Sequence, residues 1–181
     1  QGVSSAASDV YKRQVKHRVV GGFPYSEGIY EDLNKAIEAQ FYWSPAQTAE
    51  ETLREYINYE FGPGVTEEVL ELIGHFEEAA SRNYEKQPVA PAGPRRALAL
   101  AERIHARLPQ WARDNWRWEL LHLRAVLDHA RFGGGGLETP AAERAMLRLI
   151  EIYHCELETD DPYHHRVCPP LKRAISRNGN I

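Results

Sequence analysis

The chain has 181 residues, of which 43% are hydrophobic and 27% charged, proportions typical of a globular protein. Its net charge of −4 and scattered basic residues argue against nucleic acid as a partner. No apolar stretch approaches the roughly 18–20 residues that span a bilayer, so no membrane partner is expected either. Two cysteines, Cys155 and Cys168, are too few for a disulfide framework and leave the compartment open.

Residues 4–14, SSAASDVYKRQ, resemble the in-frame translation of an adapter used in shotgun sequencing libraries. We therefore expect residues 1–14 to be disordered and without function. They contain one aspartate, one lysine and one arginine, so the net charge without them is −5. On this interpretation the native sequence is expected to start at Val15 and to be the C-terminal part of a longer protein.

The segment after the adapter predicts one short strand. Residues 15–22, VKHRVVGG, are rich in β-branched side chains and end in two glycines. A single strand is not stable alone, so we expect its sheet in the part of the parent protein that precedes Val15. Residues 23–28, FPYSEG, are predicted to be a loop because they include Pro24 and Gly28.

This loop carries the candidate site residues, Phe23, Tyr25, Ser26 and Glu27. Strand, loop and helix in this order are typical of an α/β barrel, whose catalytic groups lie on such loops. Glu27 is the candidate catalytic residue, as an acid, a base or an acceptor for a sugar hydroxyl. Phe23, Tyr25 and Ser26 are candidate substrate contacts, with the aromatic rings stacking on a sugar. The alternative for Glu27 is electrostatic support of the next helix N-terminus, and the residues alone favour that alternative.

From Gly28 onward the pattern is helical. Residues 28–43 repeat apolar side chains every four positions and predict an amphipathic helix. Thr48 and Glu51 form a capping-box signature for a helix over 51–61, and Thr66 is the expected N-cap of a third helix. The expected buried side chains of the three helices are Leu33, Ile37 and Phe41, then Leu53, Ile57 and Phe61, then Val69, Leu70, Ile73 and Phe76.

Residues 85–96 contain three prolines and a glycine, which predicts a non-helical linker. We take it as the boundary between two helical subassemblies. The first covers residues 15–84 and includes the end of the barrel. The second covers residues 97–181 and ends in an irregular tail.

The second subassembly is predicted to hold three helices. Two of them cover 97–108 and 111–132, and Thr139 caps a last helix that opens at Pro140. The expected inward side chains of the last helix are Met146, Leu149, Ile150 and Tyr153.

Tryptophans alternate with arginines between Trp111 and Trp118. Such interleaving can bind sugars or nucleobases, but arginine stems also lie over indoles in a packed seam between helices. Because the chain is acidic, we interpret Trp111, Trp116 and Trp118 as such a seam.

The tail contains zinc-ligand types in His154, Cys155, His164, His165 and Cys168. Their spacing matches no closed tetrahedral set, and His154 and Cys155 are adjacent on a helix and face different directions. We therefore predict no metal site and no cofactor, and a tail packed on the domain.

The segment from Gly21 to Pro63 resembles the end of the catalytic barrel in bacterial glycoside hydrolases of the α-glucuronidase-like and related uncharacterised kinds. It covers about a quarter of the chain. The matching residues are Trp43, Ser44, Pro45, Ala49, Glu50, Glu51, Leu53, Arg54, Glu55, Tyr56, Phe61, Gly62 and Pro63. The resemblance implies a carbohydrate substrate for the intact protein, with most catalytic carboxylates in the barrel that precedes this sequence.

These features together predict a mainly α fold, a multi-helix array with one short N-terminal strand left over from an α/β barrel. The expected function is that of a C-terminal fragment of a carbohydrate-active hydrolase, whose helices brace the catalytic barrel. The fragment itself is expected to be inactive. The alternative is a non-catalytic helical module for protein interaction, which would have no use for the strand and the Glu27 loop.

Overall fold

A computed structural model describes residues 30–44 and 46–153, and these residues are mainly helical with no strand among them. The predicted mainly α fold class is therefore confirmed for this part of the chain. The predicted strand at 15–22, the adapter-derived residues 1–14 and the tail from Asp160 lie outside the described residues.

Seven α-helices and one 3-10 helix follow one another in the described residues. They are α1 (Asp32–Trp43), α2 (Ala49–Glu60), the 3-10 helix Pro63–Val65, α3 (Thr66–Tyr84), α4 (Ala92–Arg107), α5 (Gln110–Arg113), α6 (Trp116–Phe132) and α7 (Pro140–Tyr153). Helix α4 packs on α3 and α6, α7 packs on α6, and α1 and α3 both pack on α2.

The predicted capping box starts α2. The backbone N–H of Thr48 donates to Glu51 Oε2 at 2.7 Å, and the N–H of Glu51 donates to Thr48 Oγ1 at 3.2 Å. Two otherwise unpaired amides are thereby satisfied at the helix start. The predicted inner face is also confirmed, since Ile57 and Phe61 are buried and Leu53 packs against the core.

The start of α3 differs from the prediction. Thr66 is the first residue of the helix and not its N-cap, which is Val65, the last residue of the 3-10 helix. The Thr66 hydroxyl donates to Asn58 Oδ1 or to the Pro63 carbonyl. Gly62 adopts φ of +93°, a left-handed conformation that lets the chain turn from α2 into this short helix.

The predicted linker 85–96 is wrong over its last five residues, which belong to α4. This helix begins at Ala92, with Pro91 as its N-cap and Pro94 in its first turn. Amides of the first turn have no partner inside a helix, so a proline there removes no hydrogen bond. The rest of the predicted linker is a loop between α3 and α4, and these two helices share one core.

This core contains side chains from the helices on both sides of the loop. Its buried side chains include Ile57, Val69, Leu72 and Phe76 from α2 and α3, and the following from α4 and α6: Ala97, Leu100, Ala101, Ile104, Trp118, Leu121 and Ala125. The alanines allow close approach of α4 to its neighbours, because a small side chain keeps two helix backbones near each other.

The single helix predicted over 111–132 is two helices. The short α5 ends at Arg113, and Asn115 caps α6, since its Oδ1 accepts a hydrogen bond from the N–H of Arg117 at 2.9 Å. Asparagine is among the best N-cap residues, so the sequence did contain a signal for this break.

The two outer helices, α7 and α1, differ in how far their apolar side chains are buried. In α7, Leu149 is buried as predicted, and Ala142 and Ala145 are buried with it. Thr139 caps this helix as predicted, its Oγ1 accepting from the N–H of Ala142 at 3.3 Å. In α1, none of the 12 residues is buried, so the predicted inner residues Ile37 and Phe41 are partly exposed.

Candidate functional site

The sequence-predicted site residues, Phe23, Tyr25, Ser26 and Glu27, lie outside the described residues. The described residues begin at Tyr30, three positions after Glu27. Two polar groups of residues lie close to this part of α1 or to Tyr30, one around Asp32 and one around Arg124.

Helices α1, α2 and α6 meet at a polar cluster, which we call the Asp32 cluster. It consists of Asp32, Tyr56, Glu60, Asn115 and Arg117. The Arg117 Nε atom lies 3.1 Å from Asp32 Oδ2 and 3.6 Å from Glu60 Oε1. The Tyr56 hydroxyl donates to the same Asp32 oxygen, and Asn115 Nδ2 donates to Glu60 Oε2 at 2.8 Å.

Both carboxylates of the Asp32 cluster accept hydrogen bonds from other side chains of the cluster. Burial of Tyr56 and its hydrogen bond to Asp32 raise the pKa of the phenol well above its usual range, so it remains a donor. This arrangement is chemically suited to holding three helices together. It offers no uncommitted general acid or base.

Arg124 forms a second polar group, beside Tyr30. Its guanidinium carbon lies 4.8 Å from the centre of the Tyr30 ring and 5.2 Å from that of Phe76. Its Nε atom lies 3.4 Å from Asp128 Oδ2. Burial raises the pKa of the Asp128 carboxyl, with Arg124 opposing the shift. Arg124 therefore connects Tyr30, the first described residue, to Phe76 of the core.

A histidine pair lies between α4 and α6. The rings of His105 and His122 are stacked with centroids 5.0 Å apart, and the Trp118 indole N–H donates to His105 Nδ1 at 3.0 Å. Burial, and secondarily the charge of His105, lower the pKa of His122. No group of three or more metal-ligating side chains is found in the described part of the chain, and the histidines and cysteines of the tail lie outside it.

The predicted tryptophan seam is confirmed for one residue and wrong for two. Trp118 is fully buried and contacts Phe61 edge to face, with ring centroids 5.8 Å apart. Trp111 is 56% exposed and Trp116 is 40% exposed. Helical spacing explains the difference, because Trp116 and Trp118 are two positions apart and cannot share a face.

Across the described helices, none combines the length and the apolar character needed to cross a membrane. Searches among protein families, curated proteins and solved structures found no match to this chain.

Proposed function

We propose that this chain is the C-terminal part of a carbohydrate-active hydrolase, in which the helices brace a catalytic α/β barrel and do not themselves perform chemistry. In this proposal residues 15–22 are the last barrel strand. Glu27 acts in the loop that follows, where Phe23, Tyr25 and Ser26 contact the carbohydrate.

One observation carries the bracing role: α1 is amphipathic but has no buried residue. Ile37 and Phe41 are partly exposed, and Trp43 at the end of the helix is 87% exposed. Apolar helix faces of this kind normally pack against another body, because burial removes apolar surface from water. Helix α1 follows directly on the proposed barrel strand and loop, so the barrel is the natural body to cover it.

The roles of the residues that carry the resemblance support a bracing function. Tyr56 belongs to the Asp32 cluster and Phe61 to the core, and Arg54 pairs with Glu50 and Glu67 on the surface. These residues stabilise helix packing, as expected of a segment that supports a catalytic domain.

The test is to recover the reading frame upstream of Val15 from the source DNA and express the whole protein. Turnover would be measured on aryl glycosides and on oligosaccharides, with Glu27→Gln as the variant and Glu77→Gln, an exposed residue of α3, as the control. We expect Glu27→Gln to reduce turnover and Glu77→Gln to leave it unchanged. An upstream sequence that encodes no barrel, or turnover that is unaffected by Glu27→Gln, would contradict the proposal.

The alternative function is a non-catalytic module for protein interaction. It is favoured by exposed aromatic side chains on several helices, namely Trp43, Tyr59, Tyr84, Trp111 and Trp116. The upstream sequence separates the two proposals, because a free-standing interaction module requires no barrel.

A further inference from the structure

Two arginines of α6 contact the chain at the start of α1. The guanidinium carbon of Arg124 lies 4.8 Å from the centre of the Tyr30 ring, and the Nε atom of Arg117 lies 3.1 Å from Asp32 Oδ2. Arg117 and Arg124 are seven positions apart, which is about 10 Å along the helix and places both on one face. Since Tyr30 and Asp32 are two positions apart, this short piece of chain runs along that face of α6.

Arg124 is itself held by neighbours in the helical core. Its guanidinium carbon lies 5.2 Å from the ring centre of Phe76, a buried residue of α3. Its Nε atom lies 3.4 Å from Asp128 Oδ2, one turn further along α6. Both side chains of this ion pair are mostly buried, which limits the orientations open to the guanidinium. Arg124 is therefore a fixed support for the Tyr30 ring.

The chemistry of this support suits placement more than stability. A guanidinium is planar, so it can lie beside an aromatic ring and pair with a carboxylate at the same time. Burying such a cation costs free energy, and the ion pair with Asp128 offsets that cost only in part. A mostly buried ion pair is weak as a source of stability, and its best attested role is to specify one arrangement of its surroundings.

The position of Tyr30 in the sequence connects this support to the proposed site. Tyr30 follows Glu27 by three positions, a stretch that spans at most about 11 Å when extended. A shift of Tyr30 would therefore be passed on to Glu27. Because a misplacement of about 1 Å can lower the rate of a reaction roughly a hundredfold, the residue that fixes Tyr30 affects catalysis.

We propose that Arg124 is a positioning residue for the Glu27 loop, which is the predicted loop of residues 23–28. It holds Tyr30 beside Phe76 and thereby fixes the end of the loop that carries Glu27. This inference rests on the proposed function for the role of Glu27, whereas the contact between Arg124 and Tyr30 does not. Arg124 touches neither the substrate nor the reacting atoms and acts through Tyr30.

The first experiment tests the contact in the 181-residue chain. Amide hydrogen exchange is followed at Lys35, whose N–H donates to the Glu31 carbonyl at 2.9 Å and reports on the start of α1. Arg124→Met removes the charge and keeps an unbranched side chain, and we expect it to accelerate exchange at Lys35 by about tenfold. Arg148→Met is the matched control, because Arg148 of α7 pairs with Glu119 of α6 and should leave this exchange unchanged.

A second substitution shows whether Arg124 acts through Tyr30. Tyr30→Ala alone should accelerate exchange at Lys35 to a similar extent. In the double variant, Arg124→Met should add little to this effect, because the contact is already lost. Thermal unfolding of each variant establishes that it is folded.

The second experiment uses the recovered full-length protein and separates kcat from KM. We expect Arg124→Met to lower kcat roughly ten- to a hundredfold, with little change in KM for an aryl glycoside. Arg124→Lys keeps a cation beside Tyr30 and Asp128 and should recover part of kcat. Arg148→Met should retain the wild-type values. A merely structural role for Arg124 would lower thermal stability and leave kcat of the folded enzyme unchanged.

Three results would overturn the proposal, and each has a different meaning. Equal exchange at Lys35 in wild type and Arg124→Met would show that Arg124 does not hold Tyr30 in place. Unchanged kcat in Arg124→Met, in an enzyme that Glu27→Gln inactivates, would show that the contact does not position Glu27. Absence of turnover in the full-length protein, or turnover unaffected by Glu27→Gln, would remove the proposed function itself, while exchange at Lys35 would still report on the contact.

Discussion

The indole N–H of Trp118 donates a hydrogen bond to Nδ1 of His105 at 3.0 Å, and this bond joins the buried indole of α6 to an imidazole of α4. A fully buried indole N–H needs an acceptor, and Nδ1 can accept only while it carries no proton. His122 stacks on the His105 ring, so a charge on either imidazole acts on the other.

This arrangement predicts that acid destabilises the fold. Burial, with a smaller contribution from His105, lowers the pKa of His122 below its ordinary value of 6.5, despite nearby Glu102 and Glu119. The unfolded chain then binds more protons than the folded chain, so stability falls as pH decreases below about 6.5. Urea unfolding at pH 7.5, 6.5 and 5.5 should show a decreasing free energy of unfolding across this series.

The variant His122→Phe isolates the contribution of this residue. It keeps a flat ring between α4 and α6 and removes the titrating group. We expect the decrease in stability between pH 7.5 and 5.5 to become smaller in this variant. The same pH dependence in wild type and His122→Phe would assign the effect to other groups.

A second prediction concerns the hydrogen bond itself. His105→Leu leaves the buried Trp118 N–H without its acceptor, which should cost about 1–3 kcal/mol of unfolding free energy at neutral pH. His75→Leu is the control, because His75 lies 3.8 Å from Glu71 and forms no comparably short bond. Equal losses in the two variants, measured by urea unfolding, would show that the Trp118 bond contributes little.

A third prediction concerns the Asp32 cluster. Arg117→Ala leaves the largely buried carboxylates of Asp32 and Glu60 without their shared cation, and we expect a loss of about 1–3 kcal/mol. Arg54→Ala also removes an arginine that pairs with two carboxylates, Glu50 and Glu67, but on the surface. Water screens that site, so the unfolding free energy should change little.

Equal unfolding free energies of the Arg117→Ala and Arg54→Ala variants would contradict this prediction. That result would mean that solvent reaches the Asp32 cluster and that α1 is held to α2 by other contacts. Amide exchange in α1 distinguishes the cases, since Arg117→Ala should accelerate exchange in this helix if the cluster holds it in place.

The sequence predicted α2 and α3 well because local signals and burial agree there. The capping box at Thr48 and the apolar positions of Ile57 and Val69 all describe the same helices. Composition alone does not predict the start of α4 at Ala92, because prolines break the interior of a helix but are tolerated in its first turn.

The candidate site could be predicted only in part. Residue types and order predict a loop around Glu27, but this residue lies outside the described residues, and its proposed role depends on a barrel sheet that is itself a proposal. The Asp32 cluster was missed because it joins Asp32 to Arg117, which are 85 positions apart. No local pattern records such a contact. Trp111, Trp116 and Trp118 do not form one seam, because Trp116 is only two positions from Trp118 in the same helix and Trp111 belongs to α5, before the break.

The last prediction concerns α1 and the body that is proposed to cover it. In the 181-residue chain Ile37 is only partly buried, so Ile37→Ser should change the unfolding free energy by less than about 1 kcal/mol. In the recovered full-length protein the same residue would lie against the barrel. The loss should then approach the roughly 1.5–3 kcal/mol that full burial of isoleucine contributes.

Ile57→Val provides the matched control, because Ile57 is fully buried within the helical core itself. It should cost about 0.5–1.5 kcal/mol in both proteins. Local stability would be measured by amide exchange of α1 and α2, which separates the helices from the unfolding of the barrel. A similarly small effect of Ile37→Ser in both proteins would mean that the barrel does not pack on α1, and the bracing role would have to be abandoned even if the full-length protein hydrolyses carbohydrate.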